Sequence, residues 1–262
     1  MKSLVIGNTS QLSFYFPEEF TKISSRNIDF SYLKKHAWDK IILAFGESRK
    51  FISNIESYED VNFSLTIKIV EELRDFCNFM LVYSTCELWN RYDGKVNIGM
   101  PFSYYHTPYL ESKHKLTSYI LEREYKNVFV LFPFNFNSPL RNKNFLFGKI
   151  FDSIINKRKI SIGDTYFHRD LIHPDYVVQE TLRANEHKMI GSGRLTFVND
   201  FIRDIFSKYN LEYDDFVEED IQNFKESIER KEYYMQTKFC LFSYESLLSK
   251  TIDDIERYRC IM

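Results

Sequence analysis

The chain predicts an α/β fold: a doubly wound parallel sheet carrying a small C-terminal lobe. Three observations lead there. Short apolar runs at 3–6, 39–45, 79–83 and 128–132 alternate with amphipathic stretches, the pattern of strands joined by crossover helices. The first run ends in a glycine turn, Gly7-Asn-Thr-Ser-Gln-Leu-Ser13. Of 262 residues, 44% are hydrophobic and 17% aromatic, ample for a sheet covered on both faces.

Taken in order, Ser3–Ile6 reads as a buried first strand, with a helix expected after Gly7. A strand–glycine turn–helix opening can cradle a pyrophosphate on backbone N–H groups and a helix N-terminus. The full pattern wants glycine at 7, 10 and 13, and only Gly7 is present, so the turn alone fits an ordinary strand–turn–helix equally well. Residues 22–29 form a second strand and its exit. Ser25 and Arg26 there suit a 2′-phosphate, whereas Asp29 is the acid that a ribose 2′-hydroxyl would want; an exposed loop arginine is the other reading of Arg26. A strand over 39–45, an amphipathic helix over 64–76 and a strand over 79–83 follow. Thr107 and Pro108 suit the N-cap and first position of a helix running to about Tyr125. Beyond a strand at 128–132, helices are expected over 145–156, 177–184, from Thr196 with Phe197, Phe201, Ile202, Ile205 and Phe206 on one face, and over 244–258. The Lys157-Arg158-Lys159 run and the Glu218-Glu219-Asp220 run read as solvated charge. The sheet domain is expected over 1–135 with a returning segment at 160–185, and the lobe over 136–159 and 186–262.

Bulk properties narrow the function. A net charge of −2 gives no general pull toward nucleic acid or anionic membrane. No apolar run reaches the ~18 residues of a membrane helix, and the N-terminus lacks a leader pattern. Cys77, Cys86, Cys240 and Cys260 have no metal-like spacing, so a reduced, cytoplasmic protein without a structural metal is expected.

The chemistry concentrates in 83–113. An apolar strand ends in Ser84 and Thr85, and the helix opened by Thr107-Pro108 carries Tyr109 and Lys113 four residues apart, on one face. A hydroxyl, a phenol and an ammonium together can polarise a carbonyl and move a proton. The spacing alone is expected by chance in a chain with 18 tyrosines, and Tyr234/Lys238 repeats it. Context singles out the first pair; the second reads as surface.

Four blocks then resemble one family. The Gly7–Ser13 opening looks like G-x-x-G-x-[IL]-G, Tyr83–Trp89 like S-[ST]-x-E-[LV]-Y, Thr107–Lys113 like S-P-Y-x-x-S-K, and Gly163–Asp175 like G-x-x-x-x-R-D-[FL]-I-H-V-x-D. Phe132-Pro-Phe-Asn135 adds a weaker R-P-x-N likeness. In this order the blocks resemble the extended short-chain dehydrogenase/reductase superfamily, in its nucleotide-sugar epimerase, dehydratase and reductase branch. The resemblance implies a Rossmann fold, NADP (with NAD as the alternative), a nucleotide-sugar substrate and a homodimer. It makes Tyr109 the acid/base, Lys113 the cation that tunes it and binds the nicotinamide ribose, and Thr85 the hydrogen-bonding partner of the reacting oxygen. Gly7, Ser10, Gln11, Leu12, Ser25, Arg26, Asp29 and Ala44, with Tyr109 and Lys113, would contact cofactor; Thr85, Glu87, Asn135 and Arg169 would contact substrate, and His173 and Asp175 would be structural.

Departures shape the expected activity. Ser10 and Ser13 replace two glycines, and Phe132 stands where the family usually has arginine. The short chain, the Gln11-Leu12 opening and Ser25-Arg26 favour reduction of a 4-keto sugar in polysaccharide precursor synthesis. An epimerase or 4,6-dehydratase and a catalytically silent binding protein are the alternatives.

Overall fold

The computed structural model describes residues 2–48, 56–220 and 231–259; the remainder of the charged stretch, 221–230, and Cys260 lie outside them. The chain divides into two compact units, 1–91 with 98–133 and 177–190, and 92–97 with 134–176 and 191–262.

In the first unit, six parallel strands form one sheet among the described residues. They are β1 (Ser3–Ile6), β2 (Thr21–Ile23), β3 (Trp38–Leu43), β4 (Cys77–Tyr83), β5 (Val128–Pro133) and β6 (Lys188–Ile190), in the spatial order β6-β5-β4-β3-β1-β2. The central strands read as uninterrupted apolar runs because both faces are covered: Leu4, Val5, Ile6, Ile41, Ile42, Met80 and Leu81 have no solvent exposure. Each such side chain contributes about 1.5–3 kcal/mol through burial. Successive strands extend in opposite directions from β1 and β3, so the winding reverses between them. In open parallel sheets that reversal marks the crevice where ligands bind, beyond the carboxyl ends of the strands.

The covering helices follow the 3.6-residue repeat. Helix α1 (Phe30–Leu33) is a single turn capped by Asp29. The expected helix at 64–76 begins earlier: a helical turn at Glu56–Glu59 passes into a π-helical stretch, Asp60–Leu65, and then into α2 (Thr66–Leu73). Helix α2 buries Thr66, Ile69, Val70 and Leu73, spaced as one face requires. Helix α3 (Pro108–Glu122) starts where its cap residues predict: the Thr107 side chain accepts from the Leu110 amide, and Pro108 follows at the first turn. Its inward stripe is Leu110, Lys113, Leu116, Thr117 and Ile120. Ile120 is thus core, while Tyr125 hydrogen-bonds Glu71.

Two expectations are corrected here. After Gly7 the chain makes a succession of turns through Tyr15 instead of a helix. The amides of Ser10, Ser13 and Tyr15 each bond the carbonyl three residues back, and the Ser10 hydroxyl accepts from the Ser13 amide. Serine side chains that satisfy nearby backbone groups compete with the helical ladder, and Pro17 lies just beyond. The returning segment is 177–190, not 160–185: β6 pairs with β5, whereas 160–172 pairs within the second unit.

The second unit is a set of short ladders. Asn135–Phe136 pairs with Leu171–Ile172, His168–Arg169 with Thr196–Phe197, Ile160–Ile162 with Val217–Glu219, and Gly94–Val96 with Tyr233–Met235. Its longer helices are Leu146–Asn156, Val198–Lys208 and Tyr244–Arg259. The acidic run at 218–220 is not wholly solvated, because Glu219 accepts from Thr165 (2.9 Å) and Tyr213 (2.6 Å). Arg158, in the basic run, pairs with the buried Asp152. His173 bonds Asp254 at 2.9 Å, and Asp175 takes Lys250 at 2.6 Å. Tyr234 lies on a strand, so it shares no helical face with Lys238.

Within the first unit, a hydroxyl pair ties α3 to the end of β4: Ser84 meets Thr117 at 2.8 Å, and Thr117 also donates to the Lys113 carbonyl at 2.8 Å. Thr117→Val keeps the shape and strands the buried Ser84 hydroxyl. It should cost about 1–3 kcal/mol in urea denaturation, and an unchanged midpoint would contradict the tie.

Candidate active site

The carboxyl ends of β1, β3 and β4 bring three loops to one end of the sheet. Gly7 follows β1 with φ +115°, and its amide bonds Ile23 at 2.8 Å. A Cβ here would lie 2.6 Å from the Ala44 carbonyl oxygen, so only glycine fits this close approach of β1 and β3 ends. Ser13 is buried and donates to the Gly7 carbonyl at 2.6 Å; Ser10 donates to Ser13 at 3.2 Å. The two hydroxyls that replace glycines therefore brace the turn from within. Among the described residues, the amides of Thr9 and Leu12 find no acceptor, leaving donors for an anion at this turn. Leu12 itself is buried, and Gln11 is half-buried.

At the exit of β2, Arg26 is exposed and its guanidinium has no partner among the described residues, while Ser25 is half-buried beside it. Asp29 is committed elsewhere. Its carboxylate accepts from the Tyr32 amide at 3.0 Å and the Ser31 hydroxyl at 2.6 Å, and the Ser31 bond leads in holding it below the usual carboxylate range. The expected ribose acid is thus the N-cap of α1.

Beyond β4, Thr85 is buried and caps a short 3-10 turn, Cys86–Trp89, by accepting from the Glu87 amide at 3.2 Å. Glu87 is half-buried. Lys113, only 6% exposed, donates its ammonium to the Tyr83 carbonyl at 3.1 Å. That bond pins the second residue of the α3 stripe to the strand end leading into Thr85. Tyr109 lies one helical turn earlier on the same side of α3, half-buried, its ring 6.3 Å from that of Tyr58. The phenol and ammonium come from α3 and the hydroxyl from the end of β4, which are joined by the Lys113–Tyr83 and Ser84–Thr117 bonds. Phe132, in the expected arginine position, is fully buried with its ring 5.1 Å from Trp89, so it serves packing.

Asn62 was not singled out in the sequence. It is buried in the π-helical stretch, accepts from the Glu47 amide at 2.8 Å, and donates to the Glu47 carbonyl and the Ser112 hydroxyl, each at 3.0 Å. Ser112 donates onward to the Tyr109 carbonyl at 2.7 Å. A Cβ on Gly46 would sit 3.1 Å from the Asn62 oxygen and 3.4 Å from the Lys113 nitrogen. Asn62 lies ahead of the helix expected over 64–76, and π turns often accompany functional sites.

In the second unit, Asn135 pairs with Leu171 and donates its amide to Asp170 at 3.2 Å. Arg169 bonds the His168 carbonyl at 2.8 Å and lies over the Phe167 ring at 4.7 Å.

No protein-family model and no curated protein matches the sequence. Solved structures do. The chain matches RMD from Pseudomonas aeruginosa, complexed with NADPH, at TM-score 0.77 and 15% identity, over 98% of this chain and 100% of that one. It matches DesIV, a dTDP-glucose 4,6-dehydratase from Streptomyces venezuelae with NAD bound, at 0.79 and 16%, over 100% and 98%. It matches the UDP-glucuronic acid 4-epimerase from Bacillus cereus, in complex with NAD, at 0.77 and 14%, over 100% and 99%. The expected fold is therefore present: a parallel Rossmann-type sheet in the first unit, within matches that span nearly the whole chain. No described helix is long and apolar enough to cross a membrane.

The residues fit a nicotinamide dinucleotide. The cradle at Gly7, the turn amides of Thr9 and Leu12 that lack an acceptor among the described residues, and the exposed Arg26 suit its phosphates; the buried ammonium of Lys113 suits its ribose. Burial pushes the Lys113 amine down from 10.5 to about 8. Between those values the unfolded chain holds the proton and the folded chain does not, so this group makes folding more favourable as pH rises through that window. Lys113→Met should flatten the rise in unfolding free energy between pH 8 and 10.5, measured by denaturant titration across the window. An equal slope in both proteins would contradict the burial of this amine.

Proposed function

We propose that the protein is an NAD(P)-dependent oxidoreductase acting on a nucleotide-activated sugar, and that its reaction is reduction of a 4-keto deoxysugar by NADPH. The observation that supports this is the Lys113 ammonium seated on the Tyr83 carbonyl, two residues before Thr85 in the chain and one helical turn from Tyr109. Surface-polysaccharide precursor synthesis in the cytoplasm is the setting proposed, with the protein acting as a homodimer.

When bound, a reduced nicotinamide supplies the hydride that adds to the C4 carbonyl carbon of the sugar. Tyr109 gives its phenolic proton to the carbonyl oxygen as that oxygen gains charge. A free phenol titrates near ~10, so a neighbouring cation is needed for proton transfer near neutrality. Lys113 is that cation, and its amine also serves the nicotinamide ribose. Thr85 hydrogen-bonds the same sugar oxygen and fixes its direction, with Glu87 beside it. Gly7, Ser10, Gln11, Leu12 and Ala44 hold the dinucleotide backbone, and Ser25 and Arg26 receive the 2′-phosphate. On the second unit, Asn135 and Arg169 hold the nucleotide diphosphate, for which a guanidinium is well shaped.

A second reading has one observation in its favour. The turn after Gly7 lacks the regular helix that would point its N-terminus at a pyrophosphate. On that reading the chain keeps the fold as a binding protein without turnover.

Incubating the protein with NADPH and a panel of nucleotide-sugars, followed by mass spectrometry, separates the chemistries. A reductase consumes NADPH one for one; an epimerase or dehydratase returns its cofactor unchanged. Tyr109→Phe should lower kcat by about 10²–10⁴ while leaving NADPH affinity in place. Full turnover in that variant would remove Tyr109 from the chemistry.

A further inference from the structure

Asp170 is fully buried in the second unit, yet the chemistry above does not use it. Its carboxylate collects four donors from two distant stretches of chain. One oxygen accepts from the Ser192 amide (2.8 Å) and hydroxyl (2.7 Å), the other from the amides of Gly193 (3.2 Å) and Met235 (3.1 Å). The approach is close enough that a Cβ on Gly191 would fall 2.7 Å from the second oxygen. The Asp170 carbonyl meanwhile takes the Asn135 amide. Four segments, around 135, 170, 192 and 235, therefore meet at one side chain. A buried carboxylate with this many donors is held as an acceptor on both oxygens, an arrangement that an amide cannot reproduce.

What it fixes is the neighbourhood of Arg169. The Arg169 guanidinium also reaches the Lys231 carbonyl at 3.4 Å, and Glu232 accepts from both the amide (2.8 Å) and the ring (2.9 Å) of His168. Lys231 and Glu232 lead directly into the strand Tyr233–Met235, which is tied to Asp170 through Met235. On the other side, Arg169 pairs with Thr196, three residues beyond the Gly193 amide that Asp170 holds.

We infer that Asp170 is a positioning residue for the nucleoside diphosphate: it locks the strand and loop that aim Arg169, and with the Asn135 backbone sets both proposed phosphate contacts at once. This rests on the proposed nucleotide-sugar reading. Asp170→Asn turns one acceptor into a donor that must face N–H groups, so the lock opens on one side.

The test is calorimetric titration of UDP, GDP and dTDP, with NADPH in parallel, on the full chain. Asp170→Asn should bind the preferred nucleoside diphosphate at least tenfold more weakly, with NADPH affinity kept within twofold. Because the effect passes through Arg169, Arg169→Ala added to Asp170→Asn should cost little beyond either alone; independent, additive losses would mark Asp170 as a general fold residue and overturn the inference. Should Asp170→Asn fail to fold, Ser192→Ala removes a single hydroxyl donor and should still weaken the diphosphate about threefold, leaving NADPH binding intact. Undiminished diphosphate affinity in either variant overturns the inference while the functional reading stands. A wild-type protein that binds none of the three diphosphates overturns both.

Discussion

A lysine in the apolar stripe of a helix organises this molecule. Along α3 the inward positions hold Leu110, Leu116, Thr117 and Ile120, and Lys113 occupies the same face with its ammonium out of reach of bulk water. A buried cation is tolerated only where it is hydrogen-bonded or can shed its proton. Here the Tyr83 carbonyl supplies the bond, and the lowered pKa shows the remaining tension. The carbonyl is available because β4 ends at Tyr83 and the chain turns away into Ser84 and Thr85. Helix register, strand length and the turn at Thr85 are thereby bound to one another.

The supports around that bond follow the same logic. Ser84 and Thr117 join strand end to helix, and Asn62 joins the loop after β3 to Ser112 on α3. These are side-chain bonds between elements far apart in sequence, all made in buried surroundings where an unmade bond is costly. They hold the backbone at Tyr109 and the Lys113 ammonium through the protein's own bonds. A site pre-arranged in this way spends little binding energy on ordering itself.

Much of this could be read from the chain before the fold was known. The apolar runs mark the sheet because a parallel sheet leaves no solvated face, and Thr107-Pro108 marks the start of α3 because a cap hydroxyl and a fixed φ serve one local purpose. Asp29 shows the limit of such reading. An acid just after β2 looks alike whether it caps a helix or meets a ribose, and only the Tyr32 amide decides between them. The turns after Gly7 were hidden for a related reason: whether serines join a helix or brace a turn depends on which backbone groups they reach, and Ser13 reaches back to Gly7. Asn62 and Asp170 were beyond local reading because their partners lie far along the chain, at Glu47 and Ser112 for one and at Ser192, Gly193 and Met235 for the other. Glu219 was misread as solvent-facing since charge runs usually are, yet Thr165 and Tyr213 draw it inward.

The central claim is that the end of this sheet is built to receive a nicotinamide dinucleotide despite its serine-braced turn. Fluorescence titration of the wild-type protein with NADPH and NADH addresses it most directly. Saturable binding, tighter for NADPH because Arg26 is exposed at the exit of β2, is the result the account requires. Absence of binding to either nucleotide at millimolar concentration would contradict it.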